Sequence, residues 1–268
     1  IPYWNSSPYG GTRPNGSESG DRHLWFDFMM NPEMQKRIMP EEYDKASAKF
    51  VSEFGYIGPL KRSSIERYMD GAPFDISGEV WQHHNNTFEK DTVMAGIRYH
   101  YGVKGNLDID GYLLYAGLCQ GIMYGYSLES FRYKPECSGA LFWMFNDCWG
   151  ETGWSIIDYY LVRKISYYFV KRAFAPVKFI LRFENGTINV VGINDGPSEK
   201  VINVEYGYVS FDGTVQNVKE TILTLGAHSR EKVMCFSKGN FDETQGVYYL
   251  KAVEDKEVPL AVLRTGTY

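Results

Sequence analysis

The character of this chain changes once, at Pro176, and that change limits the folds open to it more than any other feature. All six tryptophans lie at or before Trp154, and nine of the eleven prolines lie at or before Pro176. Beyond it come seven short alternating runs: Val177 to Phe183, Thr187 to Asn194, Val201 to Phe211, Thr214 to Leu225, Lys232 to Ser237, Gly246 to Val253 and Val258 to Thr265. Side chains that alternate in a strand line two opposite faces, so seven such runs predict an immunoglobulin-like β-sandwich over 176–268. Asn185-Gly186 and Asp212-Gly213 each predict a two-residue type I′ turn, in which both central residues take positive φ.

Before Pro176 the pattern alternates strand and helix, which predicts parallel βα units over 1–175. Tyr112, Tyr115, Ala116, Cys119, Ile122, Met123 and Tyr126 recur at spacings of mostly three and four, so one apolar stripe runs along a helix from about Asp110 to Arg132. A second helix is predicted from about Tyr160 to Phe174, with Leu161, Ile165, Tyr168 and Phe169 on one face. Gly139 to Phe145 (GALFWMF) is a short apolar run bounded by turn residues, which predicts a strand buried on both faces. Phe50 to Phe54 and Asp21 to Trp25 are read as strands too, and Gly10 to Gly20 is a loop by composition.

The 28 Lys+Arg against 33 Asp+Glu give a net charge of −5, which offers no footprint for nucleic acid. No apolar run reaches the roughly 18 residues that a membrane helix needs. Cys119, Cys137, Cys148 and Cys235 form no C-x-x-C pair. They read as buried thiols in a reducing compartment, with the cytoplasm favoured. Neighbouring His83 and His84 would point about 100° apart on a helix, a poor geometry for one metal ion, and neither a metal nor a cofactor is expected.

Chemistry in βα folds gathers where strands end and loops converge. Three predicted strand ends carry polar or aromatic groups: His23 with Trp25, Glu53, and Trp143 with Asn146, Asp147 and Trp149. A carboxylate inside Phe50-Val51-Ser52-Glu53-Phe54-Gly55 has bulky apolar neighbours, so Glu53 must be partnered or functional. A structural ion pair and a catalytic carboxylate both satisfy that condition. His23 has the chemistry to donate to a hydroxyl or to orient Glu53.

Ser52-Glu53-Phe54-Gly55-Tyr56, then Gly139 to Trp149 (GALFWMFNDCW), then Trp154-Ser155-Ile156-Ile157-Asp158-Tyr159, with Tyr3 to Gly11 and Gly20 to Trp25 ahead of them, resemble in order and spacing the C-terminal part of β-mannosidases in glycoside hydrolase family two. The resemblance covers most of residues 1 to 177, and the sandwich part matches only in kind. It implies the C-terminal half of a (β/α)8 TIM barrel, with strand five ending near Ser6-Ser7-Pro8, strand six at His23, strand seven at Glu53 and strand eight at Trp143. It further implies that Glu53 is the nucleophile of a retaining exo-β-mannosidase and that His23, Trp25, Trp143, Asn146 and Trp149 line the substrate site.

The resemblance also implies a general acid/base Glu in an Asn-Glu pair after strand four. No such dipeptide occurs in the 268 residues. The expected partners are therefore a β-mannoside substrate and the missing N-terminal part of the same enzyme, without which the chain is catalytically incomplete. Glu151 and Asp147 are the first suspects should the chain hydrolyse mannosides alone. Half a barrel leaves open sheet edges, which argues against independent folding. The alternatives are another family-two specificity, such as β-glucuronidase, β-galactosidase or exo-glucosaminidase, or a carbohydrate-binding module without catalysis. The sandwich, which has no Trp and a single His, His228, is expected to contribute stability rather than chemistry.

Overall fold

The computed structural model describes residues 3–10 and 20–265. Apart from its end glycines, the loop expected over Gly10 to Gly20 lies outside the described residues. The chain falls into two compact units, Ile1–Ala173 and Phe174–Tyr268.

The first unit is mixed α and β. Strand β1 (Arg22–His23) is followed by α1 (Met34–Ile38), a 3₁₀ turn (Pro40–Lys45), β2 (Val51–Glu53), α2 (Arg62–Met69), α3 (Glu79–His83), α4 (Thr92–Tyr101), α5 (Ile109–Tyr133) and α6 (Ile165–Ala173). β1 and β2 pair in parallel, with His23 opposite Glu53. Behind them Phe28, Tyr43, Phe54, Tyr124 and Phe131 join ring to ring in one buried cluster. Among the described residues no strand forms over Ser6-Ser7-Pro8.

The run from Gly139 lies alongside β2. The Val51 N–H donates to Gly139 O (2.9 Å), Leu141 N–H to Val51 O (2.8 Å) and Trp143 N–H to Phe54 O (2.7 Å). It forms a single parallel bridge, Val51 to Ala140, rather than a strand. Nor is it buried on both faces: Phe142 and Met144 pack into the core, whereas Leu141, Trp143 and Phe145 are 57%, 47% and 59% exposed. Among the described residues no element covers that second face.

α5 starts at an Asp108 cap whose carboxylate accepts the Gly111 N–H at 2.7 Å. Its burial is wider than the predicted stripe, because α4, α6 and the 3₁₀ turn all pack on it. α6 begins five residues later than predicted. The Asp158 carboxylate accepts the N–H groups of Tyr160 and Val162, both at 2.9 Å, and Leu161 between them is left-handed at φ 62°. A left-handed leucine cannot continue a right-handed helix, and both Leu161 and Tyr168 are exposed.

The second unit holds β3 (Val177–Glu184), β4 (Thr187–Asn194), β5 (Lys200–Ser210), β6 (Val215–Leu225), β7 (Ser229–Ser237), β8 (Gly246–Ala252) and β9 (Ala261–Leu263). They form two antiparallel sheets, ordered β3-β4-β7 and β6-β5-β8-β9. Alternate residues from both, among them Leu181, Val190, Val204, Leu223 and Leu250, share one core. Asn185 and Gly186 have φ of 51° and 79°, the type I′ pattern. The second hairpin is different, since only Gly213 has positive φ. Gly213 N–H donates to Ser210 O and Ser210 N–H to Thr214 O, both at 2.9 Å, closing a three-residue loop with Gly213 at its bulge position. Asp212 supports this loop by accepting the Thr214 N–H at 2.8 Å.

Candidate active site

The β1–β2 register sets His23 beside Glu53, and Trp25 follows two residues along. Trp25 Nε1 donates to Glu53 Oε2 at 2.9 Å, and His23 Nδ1 lies 3.5 Å from the same oxygen. Among the described residues Glu53 Oε1 has no hydrogen-bond partner. The other side of His23 is also held. Ser7 Oγ donates to Asp21 Oδ2 at 2.8 Å and lies 3.0 Å from His23 Nε2, so the Ser7 oxygen is left to accept the Nε2 proton. The Asp21 carboxylate accepts the Tyr9 N–H as well, at 2.5 Å. Burial works against its ionised form, but hydrogen bonding by Ser52, Tyr9 and Ser7 outweighs it and holds the pKa below the ordinary carboxylate value.

Gly55 lets three elements converge behind the carboxylate. A Cβ there would meet Trp143 O at 2.5 Å, Trp25 Cη2 at 2.8 Å and Trp154 Cε3 at 3.2 Å. The Trp25 and Trp154 rings meet edge to face, with centroids 4.9 Å apart.

His23, Trp25 and Glu53 thus come together, with the Trp143 backbone against the same strand end. Asn146 and Trp149 do not join them by any contact among the described residues. Asn146 Nδ2 turns to the Asp147 carbonyl (3.3 Å), and Trp149 stacks on His84 (4.8 Å, 25°), which stacks on Tyr68 (4.1 Å, 16°). His83 meets the Trp149 ring edge-on, so both histidines serve this stack. Among the described residues no group of three or more His, Cys, Asp or Glu side chains could hold a metal ion. Cys119 and Cys137 are buried as expected; Cys148 and Cys235 are exposed, because the former sits in the loop after Trp143 and the latter on an outward position of β7.

Asp147 and Glu151, the fallback acids, belong to a buried charged cluster with Asp158 and Lys164. Asp147 Oδ2 accepts the Ser155 hydroxyl at 2.5 Å while Oδ1 is buried without a partner among the described residues. Lys164 Nζ donates to the carbonyls of Gly58 (2.7 Å) and Gly153 (3.2 Å). Burial pushes Asp147 up to about 6, against the pull of Lys164 and Ser155. Burial likewise lowers Lys164 to about 8 and raises Glu151.

Asp21, Ser7, Trp154, Gln120 and Tyr124 were not singled out as site residues from the sequence. The two-residue step from Asp21 to His23 and Trp25 was a usable signal for the first of these, since alternate strand residues share a face.

No family model matches the sequence. β-Mannosidase B of Thermothelomyces thermophilus is 31% identical over 194 residues, 66% of this chain and 21% of that protein. The Aspergillus niger β-mannosidase B is 28% identical over 189 residues, 68% of this chain and 22% of that protein. Among solved structures, the β-D-mannosidase of Dictyoglomus thermophilum aligns with a TM-score of 0.80 at 30% identity, covering 95% of this chain and 31% of that one. An exo-chitosanase of Amycolatopsis orientalis aligns with a TM-score of 0.67 at 18% identity, over 84% of this chain and 29% of that one, a likeness of fold alone. The chain spans about a fifth of the length of the curated relatives it matches.

Sequence and fold together liken the chain to a part of glycosidases. Within that class its likeness is to β-mannosidases.

Proposed function

We propose that this chain is a segment of a retaining exo-β-mannosidase, with Glu53 as the nucleophile. The observation that carries the reading is the Glu53 carboxylate itself: it ends a parallel strand, its Oε2 is held by a neutral indole donor, and its Oε1 has no hydrogen-bond partner among the described residues. That arrangement suits an attack on the anomeric carbon. The bond to the aglycone oxygen breaks as a general acid protonates it, and water then hydrolyses the glycosyl ester. On this reading residues 1–175 are strands five to eight of a (β/α)8 barrel and 176–268 an immunoglobulin-like sandwich. The acid/base Glu is supplied by a part of the longer polypeptide outside these residues.

In the same reading Trp143 is the floor of the glycone subsite, supported by its half-exposed ring and by its backbone bond to Phe54. Trp25 orients Glu53, and His23 stands beside the same carboxylate oxygen. Asn146 and Trp149 contribute to the rim, where Asn146 meets the Asp147 carbonyl and Trp149 the His84 ring.

The test is made on the complete polypeptide. A 2-fluoro mannoside should label the peptide containing Ser52-Glu53-Phe54, and Glu53→Ala should lower turnover by several orders of magnitude with the fold intact. Labelling of another carboxylate would remove Glu53 from the role. Faster cleavage of an aryl glucuronide than of the mannoside would overturn the choice of sugar.

A further inference from the structure

The chain that frames Glu53 is irregular, and irregular buried backbone needs hydrogen-bond donors from elsewhere. Helix α5 supplies them from two buried side chains one turn apart, Gln120 and Tyr124. Gln120 Nε2 lies 2.9 Å from the Tyr56 carbonyl, 3.2 Å from those of Gly153 and Ser155 and 3.4 Å from that of Trp154. Its Oε1 accepts the Ser166 hydroxyl at 2.8 Å, which fixes which end of the amide faces the carbonyls. Tyr124 Oη lies 2.6 Å from the Trp143 carbonyl and 2.7 Å from that of Trp154.

Those two carbonyls belong to different parts of the site. Trp143 is the proposed sugar floor, and Trp154 packs edge to face on Trp25, the donor to Glu53. One phenol, its single proton shared between the two carbonyls, therefore ties the floor to the support of the nucleophile. It does so from the buried side, where it is fully shielded and in contact with no route for substrate. Burying a hydroxyl here is costly unless it is paired, and both its neighbours are site carbonyls rather than carbonyls of its own helix.

We propose that Tyr124 is a positioning residue for the hydrolytic reaction: its hydroxyl, held between the carbonyls of Trp143 and Trp154, sets the spacing between the sugar floor and the Trp25–Glu53 pair. The proposal rests on the reading of Glu53 as nucleophile.

Tyr124→Phe in the complete polypeptide removes only the oxygen, and the ring keeps its packing on Phe54 and Phe142. Active-site titration with a 2-fluoro mannoside counts competent sites separately from the rate at each. We expect the titrated fraction to stay near that of the wild type, with kcat per titrated site for an aryl β-mannoside lowered roughly 10- to 100-fold, the range that a misplacement on the order of 1 Å produces. KM should change much less. Leu128→Ala, one turn further along α5, removes buried packing and no hydrogen bond; it should lower the Tm while leaving the rate per titrated site unchanged. A wild-type rate per site in Tyr124→Phe overturns the proposal, and so does an equal loss of rate per site in Leu128→Ala. Label on a carboxylate other than Glu53 in the wild-type protein would instead overturn the nucleophile reading, and this proposal with it.

Discussion

Trp25 Nε1, two residues past the end of β1, donates to Glu53 Oε2 at 2.9 Å at the end of the paired parallel strand β2. A neutral donor orients a carboxylate without cancelling its charge, and the strand pairing fixes the indole where a flexible side chain would wander. Trp25→Phe deletes the donor and keeps an aromatic ring. A hydrogen bond to a charged group contributes about 1.5–3 kcal/mol, so kcat/KM of the complete enzyme should fall roughly 10- to 100-fold. The measurement is aryl mannoside hydrolysis beside a thermal melt, and an unchanged kcat/KM would rule out the orienting role of Trp25.

The buried cluster around Asp147 predicts a pH dependence of stability. The folded-state pKa of Asp147 is raised to about 6, above the ordinary value of about 4, so folding favours its protonated form. The stability this contributes is complete below about pH 4 and is lost as pH rises through about 6. Lys164 acts in the opposite sense, since its folded pKa is lowered to about 8. Its contribution is present above about pH 10.5 and is lost as pH falls through about 8. Both groups are charged and buried between about pH 6 and 8. Asp147→Asn should remove the first of these changes. Its stability in urea, relative to the wild type, should rise between about pH 4 and 6, with a slope of up to about 1.4 kcal/mol per pH unit for one proton. A difference that stays flat across that interval would contradict the assignment.

The four thiols should separate into two classes. Cys148 and Cys235 are exposed, whereas Cys119 and Cys137 are buried, and burial pushes Cys119 up to about 12. A thiolate is the reactive species, so a thiol reagent at pH 8, mapped by peptide, should modify Cys148 and Cys235 in the folded protein and Cys119 and Cys137 only in denaturant. Rapid reaction of all four without denaturant would contradict the packing of α5 against α4.

Local rules carry far in this chain. The seven strands after Pro176 and the Asn185-Gly186 turn follow from alternation and from the left-handed freedom of Asn-Gly, which are properties of a few neighbouring residues. α5 follows from the spacing of its apolar residues in the same way. Where a side chain captures backbone donors, or where a run lacks cover, apolar periodicity misses. Asp158 captures two N–H groups and delays α6, and Gly139 to Phe145 lacks cover on one side among the described residues and holds a bridge instead of a strand.

The candidate site divides along the same line. The sequence by itself determined that a carboxylate, a histidine and several tryptophans stand at strand ends, because residue type and strand period are written in the chain. Only the tertiary structure decided which of them meet. His23, Trp25 and Glu53 converge because β1 and β2 pair in one register, while Trp149 is drawn into a stack with His84 and Tyr68. Gln120 and Tyr124 lie within the predicted helix but off its apolar stripe, yet their polar atoms reach carbonyls 19 to 64 residues away along the chain. Which buried carbonyl finds which donor depends on distances through space, and these exist only once the loops have closed on the helix.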